Sequence, residues 1–395
     1  MISKKMEALG KKSSVIREIF EYGKRRKAEI GAENVYDFSL GNPSIPAPDK
    51  IRETMTELLA EGDPVALHGY TSAPGDMGVR TAIANSINER FSAGAEPSLI
   101  YMTCGAAASL TITLHATVNE GDEVIVLAPF FPEYRVFAEK AGAIVRAVSC
   151  PAPDFVPDPE LLREAINEKT KAIIINSPNN PTGVVYSGEV LEKLCAVLKE
   201  KQKQYGNTIY LIADEPYREL SFGKDVPYLP NMYDNTVVCY SYSKSLSLPG
   251  ERIGYIFVSP RAEAAGDLYA AVCGAGRALG FVCAPSILQY TVGRCQGLTA
   301  DVSVYRENRD LLYGELSKMG YTAVHPDGAF YLFLKSPLAT AEEFCERAKK
   351  YELLLVPSDS FGCEGYVRIS YCVTREQIER ALPAFLKLYK DCMGE

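Results

Sequence analysis

The chain is predicted to be an α/β protein of two domains. The larger holds a mostly parallel sheet sandwiched by helices, and a smaller α+β domain is built from the N-terminal and C-terminal segments. Three observations predict this. From about residue 49 to 285, short β-branched runs alternate with longer amphipathic stretches, as in a sheet whose strands are joined by helical crossovers. After Pro285 that rhythm stops, and helical patterns mix with isolated strand-like runs. The 395 residues, 47% of them hydrophobic and 23% charged, suffice for two sizeable cores.

The elements follow in order. Val15, Ile16, Ile19 and Phe20 recur at helical spacing, and Gly41-Asn42-Pro43 with Pro46 and Pro48 then impose an extended segment. Because this stretch precedes the α/β rhythm, residues 1–48 are expected to pack with the small domain. Strands are expected at Leu99–Thr103, Glu123–Leu127, Ile144–Val148, Ala172–Asn176, Thr208–Ala213, Val237–Tyr240 and Ile253–Val258. Helices are expected at Val79–Phe91, Ala106–Thr117 and Ser187–Tyr205, which places the large domain at 49–285. The apolar stretch Tyr269–Leu288 is broken by Arg277 and several glycines and does not read as a membrane span. Residues 286–395 form the small domain. Its expected elements are a helix at Val302–Met319, a strand at Ala329–Lys335, a helix at Ala341–Tyr351, strands near Leu353–Val356 and Tyr366–Tyr371, and a closing helix at Arg375–Tyr389.

Charge excludes some functions. The net charge of −8 argues against general attraction to nucleic acid or an anionic membrane. The basic residues Lys4-Lys5, Lys11-Lys12 and Lys24-Arg25-Arg26-Lys27 are expected to be solvated helix faces. Residues 1–14 lack the apolar stretch of a secretory leader, so the cytoplasm is the expected compartment. The eleven cysteines form no Cys-x-x-Cys pair and read as free thiols. His68, His115 and His325 are far apart, and no metal site is expected.

Three segments set a polar residue just beyond a predicted buried strand: Asn180 in Asn179-Asn180-Pro181-Thr182-Gly183, Asp214 after Leu211-Ile212-Ala213, and Lys244 in Ser241-Tyr242-Ser243-Lys244. Open α/β sheets bind ligands in the crevice at the carboxyl ends of their strands, so an amide, a carboxylate and an amine there converge on one small molecule. Each alone is also an ordinary turn, helix cap or exposed lysine.

Around Lys244 the spacing is more specific. Ser241-x-Ser243-Lys244 is followed eight residues on by Arg252, inside Gly250-Glu251-Arg252-Ile253-Gly254. In these motifs the chain resembles the fold-type-I pyridoxal 5′-phosphate (PLP) enzymes, specifically the class I/II, aspartate aminotransferase-like aminotransferases. The resemblance runs from Leu40-Gly41-Asn42-Pro43 to Tyr366-Val367-Arg368-Ile369-Ser370. It implies that Lys244 holds the cofactor aldehyde as a Schiff base and that Asp214 partners the pyridine nitrogen. By the same resemblance, Asn180 and Tyr217 bond the phenolic oxygen, with Tyr217 counted among the catalytic residues beside Lys244 and Asp214. Ser241, Ser243 and Arg252 are implied as phosphate ligands, and Phe131 as the ring stacked on the pyridine face. At Gly105-Ala106-Ala107 the family often carries a hydroxyl or amide side chain. Here only methyls are present, which leaves the backbone N–H groups at the helix start as the phosphate contacts. Tyr70 matches a tyrosine lent by a partner subunit, which implies a homodimer with shared active sites. Arg368 resembles the clamp on the substrate α-carboxylate, with Gly41 and Asn180 beside it. Arg277 is weighed as a second cation for a dicarboxylic substrate and read instead as a surface or interface residue.

The implied reaction moves an amino group between an L-α-amino acid, aspartate first, and a 2-oxo acid such as 2-oxoglutarate. A PLP-dependent carbon–sulfur β-lyase or amino acid decarboxylase of the same fold is the alternative, since the cofactor supplies their common chemistry. A non-catalytic PLP-binding regulatory protein would need an output module, and none is visible in the sequence. The Asn180–Pro181 bond is expected to be cis, with the Asn180 amide aimed at the cofactor.

Overall fold

A computed structural model describes residues 2–11 and 15–394. Lys12, part of one basic run, lies outside the described residues. Helices Lys4–Lys11 and Val15–Ile30 lead to the short strand β1 (Tyr36–Asp37). Seven strands then build the main sheet: β2 (Ile100–Thr103), β3 (Glu123–Ala128), β4 (Ile144–Ser149), β5 (Thr170–Asn176), β6 (Tyr210–Asp214), β7 (Thr236–Ser241) and β8 (Gly254–Val258). Their order is β2-β8-β7-β6-β5-β3-β4. β3, β7 and β8 are buried along their whole length, which is why they read as unbroken apolar runs. β4, at the sheet edge, is mostly exposed, and its Arg146 forms an ion pair with Glu123 of β3 at 2.8 Å.

Only β8 runs antiparallel to its neighbours. The connection from β7 contains a single helical turn, Tyr242–Ser245, so the chain turns back alongside β7 instead of crossing over a sheet face. The start of β8 therefore lies at the same edge as the carboxyl ends of the parallel strands, with Gly254 opposite both Ser241 and Thr103.

The second unit contains β9 (Ala323–Val324), β10 (Tyr331–Lys335), β11 (Leu353–Leu354), β12 (Val356–Pro357) and β13 (Tyr366–Ser370). β12, β13, β10 and β9 form an antiparallel sheet in that order. The N-terminal segment joins this unit. β1 pairs in parallel with β11, and the Phe38 carbonyl accepts from the Ser370 N–H at 2.9 Å. Phe38 is buried in one cluster with Tyr305, Phe330, Ile369 and Phe385.

Two expectations change. The basic run in Val15–Ile30 is not simply solvated: Arg26 pairs with Glu352 at 2.7 Å and Lys27 with Asp37 at 2.8 Å, tying the helix to the β1/β11 pair. Helix Ser286–Arg294, which the sequence division assigned to the second unit, packs against helices Asp49–Glu61, Pro64–His68 and Met77–Phe91 of the first. Its buried Val292 belongs to the main core, a contact that the break at Pro285 does not reveal. Among the described residues no helix is long and apolar enough to cross a membrane.

Candidate active site

The carboxyl edge of the main sheet builds the site strand by strand. At the end of β5, the Asn176 amide donates to the Asp214 carbonyl at 2.9 Å and its oxygen accepts from the Asn180 N–H at 2.8 Å, fixing the following turn. The Asn180–Pro181 bond in that turn is cis, as expected, and so is Ser177–Pro178, which had not been anticipated. The Asn180 side-chain oxygen accepts from Arg368 Nη1 at 3.1 Å.

Asp214 closes β6 and is buried. One carboxylate oxygen accepts a hydrogen bond from the Tyr134 hydroxyl, while Oδ1 has no partner among the described residues. Burial raises its pKa to about 7, with the Tyr134 bond opposing the shift. Such an oxygen suits a cationic N–H donor, since a buried unpaired acceptor is costly.

Beyond β7, Ser241 caps the helical turn by accepting from the Ser243 N–H at 3.2 Å, and the two hydroxyls lie 2.8 Å apart. This turn projects Lys244 into the crevice. Its amine donates to the Gly41 carbonyl at 2.6 Å and lies 5.3 Å from the centre of the Phe330 ring. Burial lowers the Lys244 pKa to about 8; Arg252 and Arg368 push in the same direction and Cys372 opposes them. The amine is thus neutral at a pH where an ordinary lysine remains protonated.

Arg252 stands just before β8 with φ of 53°, in the left-handed region, and donates to the Pro249 carbonyl at 3.0 Å. Its guanidinium lies against Gly105, where an added Cβ would come within 3.0 Å of Nη2 at φ of +90°. Only glycine allows this approach between the arginine and the start of helix Ala106–Thr117. The free N–H groups at that helix start and the guanidinium form an anion cradle.

Arg368 enters from β13, opposite Phe333 of β10 and Val356 of β12. It is buried, donates to the Ser39 carbonyl at 2.6 Å and lies over the Tyr331 and Phe361 rings at 4.6 and 5.2 Å. Nε has no partner, and no carboxylate pairs with this guanidinium among the described residues. A buried cation held only by neutral groups is primed for an anion. Tyr331 also shares a 2.9 Å hydrogen bond with the Tyr217 hydroxyl, and its own hydroxyl occupies the space that a side chain at Gly41 would need.

These groups line one cavity of about 270 Å³. It brings together Gly41, Ala106, Ala107, Phe131, Asn180, Asp214, Tyr217, Ser241, Ser243, Lys244, Arg252 and Arg368. Gly105 lies behind it, against Arg252. Tyr70 does not line it and is 98% exposed. Arg277 is likewise exposed, in the last turn of helix Ala265–Leu279. The Cys283 N–H bonds the Ala73 carbonyl, so the loops carrying Tyr70 and following Arg277 adjoin on one face. Sequence reasoning missed Tyr134, Asn176, Ser39 and Tyr331. Asn176 carried a usable signal, as the last polar residue of an apolar strand; the other three carried none.

The family described as Aminotransferase class I and II matches residues 32–385. An aspartate aminotransferase of Thermotoga maritima is 31% identical over 391 residues, covering 96% of this chain and 95% of that protein. A crystal structure of an aminotransferase from Eubacterium rectale is 53% identical, covers 99% of both chains and superposes with a TM-score of 0.97. The Thermus thermophilus aspartate aminotransferase with maleate is 28% identical, with a TM-score of 0.86 over 98% of this chain and 99% of that one.

Proposed function

The chain belongs to the class I and II aminotransferases, and we propose that it works with pyridoxal 5′-phosphate held in the cavity at the carboxyl edge of the main sheet. The observation that carries this reading is the meeting of three groups in that cavity: an amine of lowered pKa and, among the described residues, a carboxylate oxygen without a partner and a buried guanidinium without a counter-ion. The residues fit the cofactor. Asp214 Oδ1 would accept from the ring nitrogen, Asn180 and Tyr217 would face the phenolic oxygen, and Phe131 would cover one ring face. Ser241, Ser243, Arg252 and the Ala106 and Ala107 N–H groups beside Gly105 would hold the phosphate.

When bound, pyridoxal phosphate supplies an electron sink for charge left on the substrate Cα. The chain's residues do the rest. Lys244 would anchor the cofactor and, once displaced by the substrate amine, its neutral Nζ would take the Cα proton and carry it to C4′, the carbon of the cofactor aldehyde. Arg368 holds the α-carboxylate, and the Asn180 oxygen and Ser39 carbonyl keep its guanidinium aimed. Gly41, which has no side chain, leaves room for the Tyr331 hydroxyl.

Tyr70, exposed on its own chain, would reach the phosphate in a neighbouring copy, making the working unit a cytoplasmic homodimer with shared sites. Aspartate as amino donor rests on the names of the relatives, and 2-oxoglutarate as acceptor on the resemblance to the family. Mixing the loaded enzyme with single amino acids and following loss of the aldehyde absorption band tests this. Aspartate should discharge the band completely without releasing ammonia. Release of ammonia with the band retained would favour an eliminating lyase and overturn the reading.

A further inference from the structure

A second cavity, also about 270 Å³, lies on the other side of the lysine segment. Ser241, Ser243 and Lys244 face the first cavity, while Tyr240 and Tyr242 line the second. Tyr255 of β8 completes an aromatic wall, stacked on Tyr240 at 4.9 Å between ring centres, with Tyr242 edge-on to Tyr240 at 5.1 Å.

Three polar groups of this cavity keep donor capacity. Tyr255 is more than nine-tenths buried, and its hydroxyl, open to the cavity, makes no hydrogen bond among the described residues. The Tyr242 hydroxyl accepts from Gln296 Nε2 at 2.8 Å, which leaves its own proton to give. Arg90 donates one N–H to Glu219 at 2.9 Å, and its other N–H groups have no partner among the described residues. The acceptor side is already engaged, since Glu219 takes Arg90 on one oxygen and the Tyr240 hydroxyl on the other at 3.0 Å. An ammonium ligand would find the carboxylate already balanced by Arg90, whereas a carboxylate ligand would find three donors.

We propose that this cavity binds a small organic monocarboxylate with a flat apolar body, its carboxylate taken by Arg90, Tyr242 and Tyr255 and its body laid on the tyrosine rings. Its volume suits a ligand no larger than a single-ring acid. The site is separate from the one that reads the substrate α-carboxylate, and it stands whether or not the cofactor reading holds.

Calorimetric titration of the loaded enzyme with benzoate tests the proposal in the Arg368→Met background, which removes the competing carboxylate clamp. A saturable benzoate site should persist in Arg368→Met. Adding Tyr255→Phe or Arg90→Gln should weaken it by about tenfold, the effect of one hydrogen bond to a charged group. The Tyr255→Phe protein should melt within about 2 °C of its parent, since only a hydroxyl is lost. Absence of benzoate binding in Arg368→Met, or binding that neither cavity substitution alters, would overturn the proposal.

Discussion

Two cavities of about the same volume flank residues 240–244, and they differ in how their charges are settled. In the cavity at the carboxyl edge, Arg368 has only neutral partners, Asp214 has an unbonded oxygen and Lys244 is held at a lowered pKa. In the cavity behind the lysine segment, Arg90 and Glu219 neutralise each other. Volume therefore does not separate a reaction site from a crevice. Buried charge left unbalanced does, because it destabilises the fold unless a reactant supplies the missing partner.

The sharpest way to break this contrast is at Lys244. Lys244→Ala should cut the half-reaction with an amino acid by at least about 10³-fold, within the range expected for losing a positioned acid–base group. A variant that kept a tenth of the rate in single-turnover measurements would place the chemistry elsewhere. Next is Arg368→Met, which should lower kcat/KM by roughly 10²-fold through loss of charge-assisted bonds. The same change should raise the urea-unfolding stability of the apoenzyme by about 1 kcal/mol, because a buried unpaired charge is removed. A destabilised Arg368→Met apoenzyme would show that its bonds to Asn180 and Ser39 outweigh the cost of burying the charge.

Tyr70→Phe should weaken cofactor retention by about tenfold in equilibrium dialysis if this exposed hydroxyl bonds a phosphate in a neighbouring copy. Unchanged retention would remove Tyr70 from the shared site. A smaller effect is expected from pH. Burial lowers the Lys244 pKa to about 8, and only the neutral amine captures an aldehyde. Capture of pyridoxal phosphate by the apoenzyme should therefore rise roughly fivefold from pH 7 to 8 and level off above that. A rate still climbing steeply at pH 10 would mean an ordinary lysine. The smallest effect belongs to the compensated cavity. Glu219→Gln should lower apoenzyme stability by about 1 kcal/mol, a modest value because Arg90 is partly exposed. Stabilisation instead would erase the difference between the two cavities.

Much of this organisation is local and can be read from the chain. The strands of the main sheet lie within about two residues of where β-branched runs and turn residues put them, since strand periodicity and turn chemistry act over a few neighbours. The rule that ligands gather at carboxyl ends of parallel strands then brought Asn180, Asp214 and Lys244 to one crevice, where they are found. The reversed direction of β8 and the packing of Ser286–Arg294 on the first unit were not legible, because neither alters local pattern.

By itself, then, the sequence determined which segments form strands and helices and which polar residues stand at their ends. Only the tertiary structure decided the electrostatic state of those residues. Tyr134 bonds Asp214 across 80 positions of chain, and the Ser39 carbonyl steadies Arg368 across 329. Desolvation and hydrogen-bond partnership depend on how elements dock, and docking brings together residues whose spacing along the chain carries no signal.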